Sequence, residues 1–179
     1  MREAQKRISI PGGSAASPTA IGETVPDRYP ERTHPAHTPN HQRHNQSVIL
    51  FVTVCTADRR PLLACERVSG ALERLWPEAQ QYRVGRYILM PDHVHLFCSP
   101  TTPDAENVQK WVAYWKRLVS RELADLQPLW QRDCWDTQLR NVGHYGEKWE
   151  YVVQNPVRKE LVTSPEQWPY QGCLNELCG

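Results

Sequence analysis

The chain has 179 residues, a formal net charge of +1 and 40% hydrophobic residues. That length is enough for one domain with its own core and leaves little room for a second. The sequence has no run of about 18 apolar residues, which excludes a membrane-spanning helix. The near-neutral charge argues against a protein that holds duplex DNA through a broadly basic surface.

Residues 1–44 are poor in large apolar side chains and rich in proline, serine, threonine and histidine. Such a segment cannot bury enough surface to offset its ordering entropy. We predict a disordered or loosely attached arm over 1–44, in preference to a metal-binding histidine tract, and a single domain over 45–179. The start of the chain has no secretory signal pattern, and the six cysteines have no CxxC spacing, so we expect a reduced, cytoplasmic chain.

The rest of the chain alternates between strand and helix patterns. The order predicts an α+β fold, in which a small antiparallel sheet carries helices packed on one face. A turn signal at Pro91-Asp92 separates the second and third strands. The predicted elements are a strand over 47–55, a helix over 64–80, strands over 82–90 and 93–99, a helix over 104–126, a short strand over 134–140, and a helix over 144–154 that ends before Pro156.

Two histidines lie one residue apart in the third predicted strand. Because side chains alternate across a strand, His93 and His95 share one face and Val94 lies on the other. Two neighbouring imidazoles are well suited to bind a metal ion, although a hydrogen-bonded pair without a ligand is the alternative. Strand parity directs Cys98 away from both histidines, which argues against a zinc site that includes it.

A tyrosine lies one helical turn before an asparagine in the last predicted helix. Tyr151 and Asn155 are four residues apart and share a helix face. Tyr151 is therefore a candidate nucleophile, with a buried structural tyrosine as the commoner alternative, and Asn155 and Gln154 are the candidate third metal ligands. Tyr145 and Tyr170 are weaker nucleophile candidates, because Tyr145 has no asparagine partner at that spacing and Tyr170 lies beyond the last predicted helix.

These motifs resemble a known family in order and spacing. Residues 90–96, Met-Pro-Asp-His-Val-His-Leu, resemble the histidine-hydrophobic-histidine (HUH) motif of the IS200-like Y1 transposases. Residues 151–162 resemble the tyrosine helix of one branch, the REP-associated tyrosine transposases. Residues 130–140 and 165–170 also follow that family's pattern. The resemblance covers roughly residues 46–172.

The resemblance implies a ferredoxin-like single domain, with the HUH motif on a central strand and the tyrosine helix laid across it. It also implies a metal-dependent enzyme that cleaves and rejoins single-stranded DNA at REP-type hairpins through a 5′-phosphotyrosine intermediate. His93, His95 and Asn155 would hold Mg²⁺ or Mn²⁺, and Tyr151 would attack. The expected partner is hairpin DNA and not a membrane, a monomer is favoured over a dimer, and the expected location is the cytoplasm, at the nucleoid.

Two alternatives remain open at this stage. One is a domesticated protein that binds hairpin DNA without cutting it. The other is an HUH nickase of the replication-initiator or relaxase type. The domain's charge keeps the first alternative open, because from residue 45 onward 15 Lys and Arg face 16 Asp and Glu. Asp92 also departs from the family, where asparagine is commoner, as does Thr137, where a histidine is often found.

Positive charge is concentrated on one stripe of the helix predicted over 104–126. The stripe lies opposite the tryptophan face of that helix, and a solvated surface is the simpler interpretation of it. If the stripe is functional, its basic groups would contact the DNA backbone, and its tyrosine would offer a surface for base stacking. The candidate DNA-binding residues are Lys110, Tyr114, Arg117 and Arg121 on this stripe, with Arg140 and Arg158 elsewhere.

Overall fold

The structure, a computed structural model, describes residues 48–139 and 142–177. The predicted arm over 1–44 and Arg140 lie outside the described residues. Within them, no helix is long and apolar enough to cross a membrane. The helices and strands in chain order are β1 (Leu50–Cys55), α1 (Glu66–Leu75), β2 (Tyr82–Met90), β3 (His93–Pro100), α2 (Val108–Glu122), β4 (Trp135–Gln138), α3 (Val142–Val153), α4 (Asn155–Arg158) and β5 (Gln171–Cys173).

The five strands form one antiparallel sheet in the order β4-β1-β3-β2-β5. Strand β3, which carries both histidines, is therefore central, as predicted. Its neighbour β1 aligns Cys55 with His93 and Thr53 with His95. On the other side, β2 aligns Met90 with His93 and Ile88 with His95. The structure confirms the α+β class and the position of the histidine strand.

The two faces of the sheet carry different helices. On one face, Val52, Val94 and Leu96 belong to a large core with residues of α1 and α2. On the other face, Phe51 and Phe97 belong to a smaller core with residues of α3. The predicted packing of helices on one face thus describes α1 and α2. Helix α3 covers the histidine face, which is where the resemblance placed the tyrosine helix.

The element boundaries follow local chemistry. Helix α2 begins at Val108, later than predicted, because the side chain of Asn107 caps it by accepting a hydrogen bond from the Lys110 amide. Helix α1 ends at Leu75, two residues before Pro77. Helix α3 ends at Val153, before Pro156 as predicted, but the predicted reason is wrong, because Asn155, the residue before that proline, is itself helical in α4.

Strand β5 was not predicted, because three residues carry too little pattern. Strand β5 pairs with β2, and the residues just before β5 form two further hydrogen bonds with β2. The Trp168 indole Nε1 donates to the Leu89 carbonyl, and the Leu89 amide donates to the Tyr170 carbonyl. A Cβ atom on Gly172 would lie 2.7 Å from the Tyr87 hydroxyl, so only glycine fits there without movement. The family-like segment over 165–170 therefore has a structural role at the sheet.

The large core is built around Trp115, whose side chain is fully buried. Its ring makes edge-to-face contacts with Trp76, Trp111 and Trp130. We expect Trp115→Ala to lower the free energy of unfolding by about 3–5 kcal/mol, because it removes a large buried ring and leaves a cavity. Urea denaturation followed by circular dichroism measures this.

The adjacent exposed residue, Tyr114, provides the matched control for this prediction. We expect Tyr114→Ala to change the free energy of unfolding by less than about 1 kcal/mol, since its ring loses little burial. Equal losses in the two variants would contradict the placement of Trp115 at the centre of the core.

Candidate functional site

The two histidines face each other on the α3 side of the sheet. The Nε2 atoms of His93 and His95 lie 3.1 Å apart, and their ring centroids lie 4.6 Å apart. His93 is half-buried and His95 is buried. The predicted pairing of these side chains on one face is therefore what the structure contains.

A threonine on the neighbouring strand contacts the ring nitrogen of His95 that does not face His93. The Thr53 hydroxyl lies 2.8 Å from His95 Nδ1, and the His95 ring stacks on Phe51 with centroids 5.2 Å apart. Burial lowers the pKa of His95 well below its usual value, and the nearby positive charges of Lys148 and Arg59 act in the same direction. His95 is therefore neutral near pH 7, which is the form that binds a metal ion.

An aspartate contacts the corresponding ring nitrogen of His93. Asp92 Oδ1 lies 2.7 Å from His93 Nδ1, and Asp92 Oδ2 lies 2.7 Å from Arg59 Nε. The hydrogen bond to His93 and the charge of Arg59 lower the pKa of Asp92 below its usual value, against the opposing effect of burial. The negative charge at position 92 is thus held by two neighbouring side chains.

Helix α3 brings the candidate nucleophile to the same face. Tyr151 is half-buried and packs against the small core that contains Phe51. Between them lies Lys148, whose Nζ atom is 4.7 Å from the Phe51 ring centroid and 5.3 Å from the Tyr151 ring centroid. Arg158 also lies over the Tyr151 ring, with its Cζ atom 4.2 Å from the ring centroid. The tyrosine is therefore flanked by two cations, and Lys148 connects it to the ring on which His95 stacks.

Asn155 begins the short helix α4, one turn after Tyr151. Its side-chain Oδ1 accepts a hydrogen bond from Arg158 Nη1 at 3.0 Å, and the same nitrogen donates to the Tyr151 carbonyl at 2.7 Å. The oxygen proposed as a metal ligand is thus turned toward Arg158. Gln154, the competing ligand, occupies the break between α3 and α4.

The other two candidate tyrosines have structural surroundings. Tyr145 packs edge-on against Phe97, with ring centroids 4.8 Å apart, and lies under the Arg86 guanidinium. Burial raises the pKa of Tyr145, which makes its phenol a poorer nucleophile. Tyr170 packs against Trp168 beside β2. Cys98 lies in the core on the opposite face of the sheet, as strand parity predicted.

The basic stripe of α2 is not brought to the histidines. Its four members are exposed, while the buried face of α2 packs on the side of the sheet opposite the histidines. A groove of about 610 Å³ beside the stripe is lined by Lys110, Tyr114 and Arg117. A smaller groove of about 330 Å³ lies between β4 and α3 and is lined by Thr137, Leu139 and Tyr151, among others. Only the smaller groove adjoins the candidate nucleophile.

The donor set fits a divalent cation of the kind the resemblance implies. Imidazole nitrogens that bind one ion at about 2.1 Å and at roughly a right angle lie about 3 Å apart, close to the observed Nε2 separation. Both Nδ1 atoms have oxygen partners, as is usual for metal-binding histidines. Within the described residues no group of three His, Cys, Asp or Glu side chains forms a metal site. A third protein ligand from this part of the chain would have to be of another type, such as an amide.

Sequence reasoning missed three contributors to this site. Thr53 could be found only once the β1–β3 register was known. Arg59 belongs to a turn without a strong pattern. Lys148 had a usable signal, because it lies three residues before Tyr151 and so shares its helix face.

Comparison with known proteins gives a consistent result. No family model matches the chain. In sequence, it is similar to the REP-associated tyrosine transposase of Escherichia coli K12, with 23% identity over 91 residues, which cover 50% of this chain and 53% of the relative. It is also similar to a Haemophilus influenzae protein described by the same family name, with 26% identity over 95 residues, which cover 46% of this chain and 53% of the relative. The chain therefore spans about half the length of the curated relatives it matches.

The chain also has the fold of a solved protein structure. That structure is a REP-associated tyrosine transposase bound to a REP hairpin, with a TM-score of 0.61 and 20% identity, and the match covers 75% of this chain and 82% of that chain. This similarity establishes a shared fold, and the sequence relatives carry the same family description.

Proposed function

We propose that the chain is a member of the REP-associated tyrosine transposase family and that it cleaves and rejoins single-stranded DNA beside a hairpin. The observation that carries the proposal is the placement of two facing histidines and a cation-flanked tyrosine on one face of the sheet.

In the proposed reaction, the Tyr151 hydroxyl oxygen attacks the scissile phosphorus. A bond forms between the tyrosine oxygen and phosphorus, the bond from phosphorus to the 3′ oxygen breaks, and the phenol proton is lost. The departing 3′ oxygen takes up a proton and becomes a 3′-hydroxyl. The 5′-phosphotyrosine conserves the bond energy, so a 3′-hydroxyl can attack it and release the tyrosine.

His93 and His95 would hold Mg²⁺ or Mn²⁺ through their Nε2 atoms, with Asn155 as the proposed third ligand. When bound, the cation supplies charge that polarises the scissile phosphate and orients it. The Asn155 side-chain oxygen accepts a hydrogen bond from Arg158, so only its second lone pair is available to a cation unless that hydrogen bond breaks.

We propose REP-type hairpin DNA as the partner, a monomer as the working state and the nucleoid as the location. Arg158 lies beside the nucleophile and is the proposed DNA contact nearest to the chemistry. Lys110, Tyr114, Arg117 and Arg121 remain proposed contacts for a part of the DNA that reaches the far side of the sheet. A hairpin can be selected partly by shape, which suits a protein of modest charge.

An adduct assay tests the proposed function. A labelled REP hairpin with its single-stranded flank is incubated with the protein and Mn²⁺, and then separated on a denaturing gel. We expect a protein-linked label that disappears when EDTA removes the metal ion. Hairpin binding in a mobility-shift assay, without an adduct in Mn²⁺ or Mg²⁺, would identify the non-cutting hairpin binder instead. An adduct formed equally well on DNA without a hairpin would favour the nickase.

Lys148 should contribute to the rate of this reaction. Its half-buried ammonium lies beside Tyr151 and can offset the negative charge that develops on the phosphate. We expect Lys148→Met to slow adduct formation on saturating hairpin DNA by about 10–100-fold. Lys148→Arg should retain part of the rate, because it keeps the charge. Quenched-flow or manual time courses on denaturing gels measure this.

Lys159, an exposed lysine at the end of α4, supplies the matched control for this measurement. We expect Lys159→Met to leave the rate on saturating DNA within about twofold of wild type. A rate loss of the same size in both lysine variants would point to a general charge effect and not to a role at the tyrosine.

A further inference from the structure

The turn that carries Asp92 is clamped by the connection between β1 and α1. The Thr56 amide donates to the Asp92 carbonyl at 2.9 Å, and the Thr56 hydroxyl lies within hydrogen-bond distance of both the Asp92 and Arg60 carbonyls, at 3.0 and 2.8 Å. The Leu63 amide donates to the Pro91 carbonyl at 2.9 Å. The backbone before His93 is thus fixed by a segment that belongs to neither the histidine strand nor the tyrosine helix.

Within this connection, two successive residues have a strained backbone. Asp58 and Arg59 have φ of 53° and 56°, in the left-handed region that side chains other than glycine rarely adopt. Such strain costs of order 1–3 kcal/mol per residue and persists only where the surroundings enforce it. Here the strained turn aims the Arg59 guanidinium at Asp92 and at the Cys55 sulfur.

The carboxylate of Asp92 restricts the tautomer of His93. An ionised carboxylate can only accept a hydrogen bond, so the proton shared with His93 belongs to Nδ1. The lone pair of His93 Nε2 then faces His95. Thr53 does not impose such a choice on His95, because a hydroxyl group can either donate or accept.

We propose that Arg59 and Asp92 are positioning residues. Arg59, on the strained turn, orients the Asp92 carboxylate, and Asp92 in turn holds His93 in the tautomer that can bind a metal ion. This inference rests on the proposed function for its purpose, since His93 is the proposed ligand. It assigns to position 92 a role in preparing the ligand.

The tautomer can be measured without metal or DNA. Long-range ¹H–¹⁵N NMR spectra of the imidazole nitrogens distinguish a protonated Nδ1 from a protonated Nε2 at pH 7.5. We expect His93 in wild type to be the Nδ1–H form, and Asp92→Ala to shift it towards a mixture. Asp92→Asn should retain the Nδ1–H form, because the amide oxygen can still accept. An unchanged His93 tautomer in Asp92→Ala would overturn the proposal.

Metal affinity provides the second readout. We expect Asp92→Ala to weaken Mn²⁺ binding by about 10–100-fold. The electron paramagnetic resonance signal of free Mn²⁺ measures the affinity. Arg59→Met should weaken it by about 3–10-fold, and should add almost nothing in the Asp92→Ala background, because it acts through Asp92. Additive losses would show that Arg59 acts independently and would overturn that part of the proposal.

A second surface ion pair supplies the matched control. Arg67 pairs with Asp125 at the surface, as Arg59 pairs with Asp92, but on the exposed side of α1. We expect Arg67→Met to leave both the His93 tautomer and the Mn²⁺ affinity unchanged. If wild type formed no DNA adduct while both readouts still responded to Asp92→Ala, the proposed function would fail and the positioning role would stand. If Asp92→Ala and Arg59→Met both bound Mn²⁺ as tightly as the wild type, the positioning role alone would be overturned.

Discussion

Replacing Tyr151 with phenylalanine is expected to abolish the covalent protein–DNA adduct, a loss of at least about a thousandfold. The substitution removes only the hydroxyl oxygen. The phenyl ring can still pack against the small core and still contact Lys148 and Arg158. Folding and hairpin affinity should therefore remain close to wild type, as checked by thermal melting and mobility shift.

The other two tyrosines provide controls for the nucleophile. Tyr145→Phe and Tyr170→Phe should each form the adduct at a rate within about fivefold of wild type, because both rings serve packing. Peptide mapping of the wild-type adduct should place the DNA on Tyr151. An adduct that persists in Tyr151→Phe and is lost in Tyr145→Phe would show that the nucleophile was assigned to the wrong turn of the helix.

Removing either histidine should be almost as damaging to cleavage. His93→Ala and His95→Ala each remove one of the two imidazoles that would hold the cation. The loss of several kcal/mol of charge stabilisation corresponds to a rate decrease of about a thousandfold. Adduct formation at a series of Mn²⁺ concentrations measures the effect. Excess Mn²⁺ should restore part of the rate in His93→Ala, since this histidine is the more exposed of the two.

The two histidine variants should differ in stability. His95 is buried and stacks on Phe51, so His95→Ala should lower the free energy of unfolding by about 1–3 kcal/mol. His93→Ala should lower it by less.

Cys98→Ala is the control for metal-dependent cleavage, because Cys98 is on the same strand but its side chain lies in the core on the opposite face. If Cys98→Ala abolished metal-dependent cleavage while the histidine variants remained active, the metal site proposed here would be wrong.

Local pattern alone determined much of this protein. Alternation along β3 placed His93 and His95 on one face, because successive side chains in a strand point to opposite sides. The four-residue spacing placed Tyr151 and Asn155 one turn apart, although a break at Gln154 now separates α3 from α4. These relations depend only on residues that are close in sequence, so the sequence contains them in full.

The surroundings of the site depended on tertiary structure. Thr53 meets His95 because β1 and β3 pair in one particular register, and a shift of one residue would have put a buried valine there. Arg59 reaches Asp92 through a strained turn across a separation of 33 residues, which no short pattern encodes. Strand β5 was missed for a similar reason, since three residues pair only because β2 offers them an edge.

The position of the basic stripe on α2 also became clear only in three dimensions. The sequence predicts correctly that the stripe lies opposite the tryptophan face of its own helix, but it cannot say which face of the sheet that helix covers. The buried tryptophans pack α2 against the face opposite the histidines, which separates the stripe from Tyr151. The sequence by itself determined which side chains share a strand face or a helix turn, because the backbone geometry of a strand or a helix fixes the directions of nearby side chains. Only the tertiary structure decided which of those faces meet, because that depends on how distant segments pack around two separate cores.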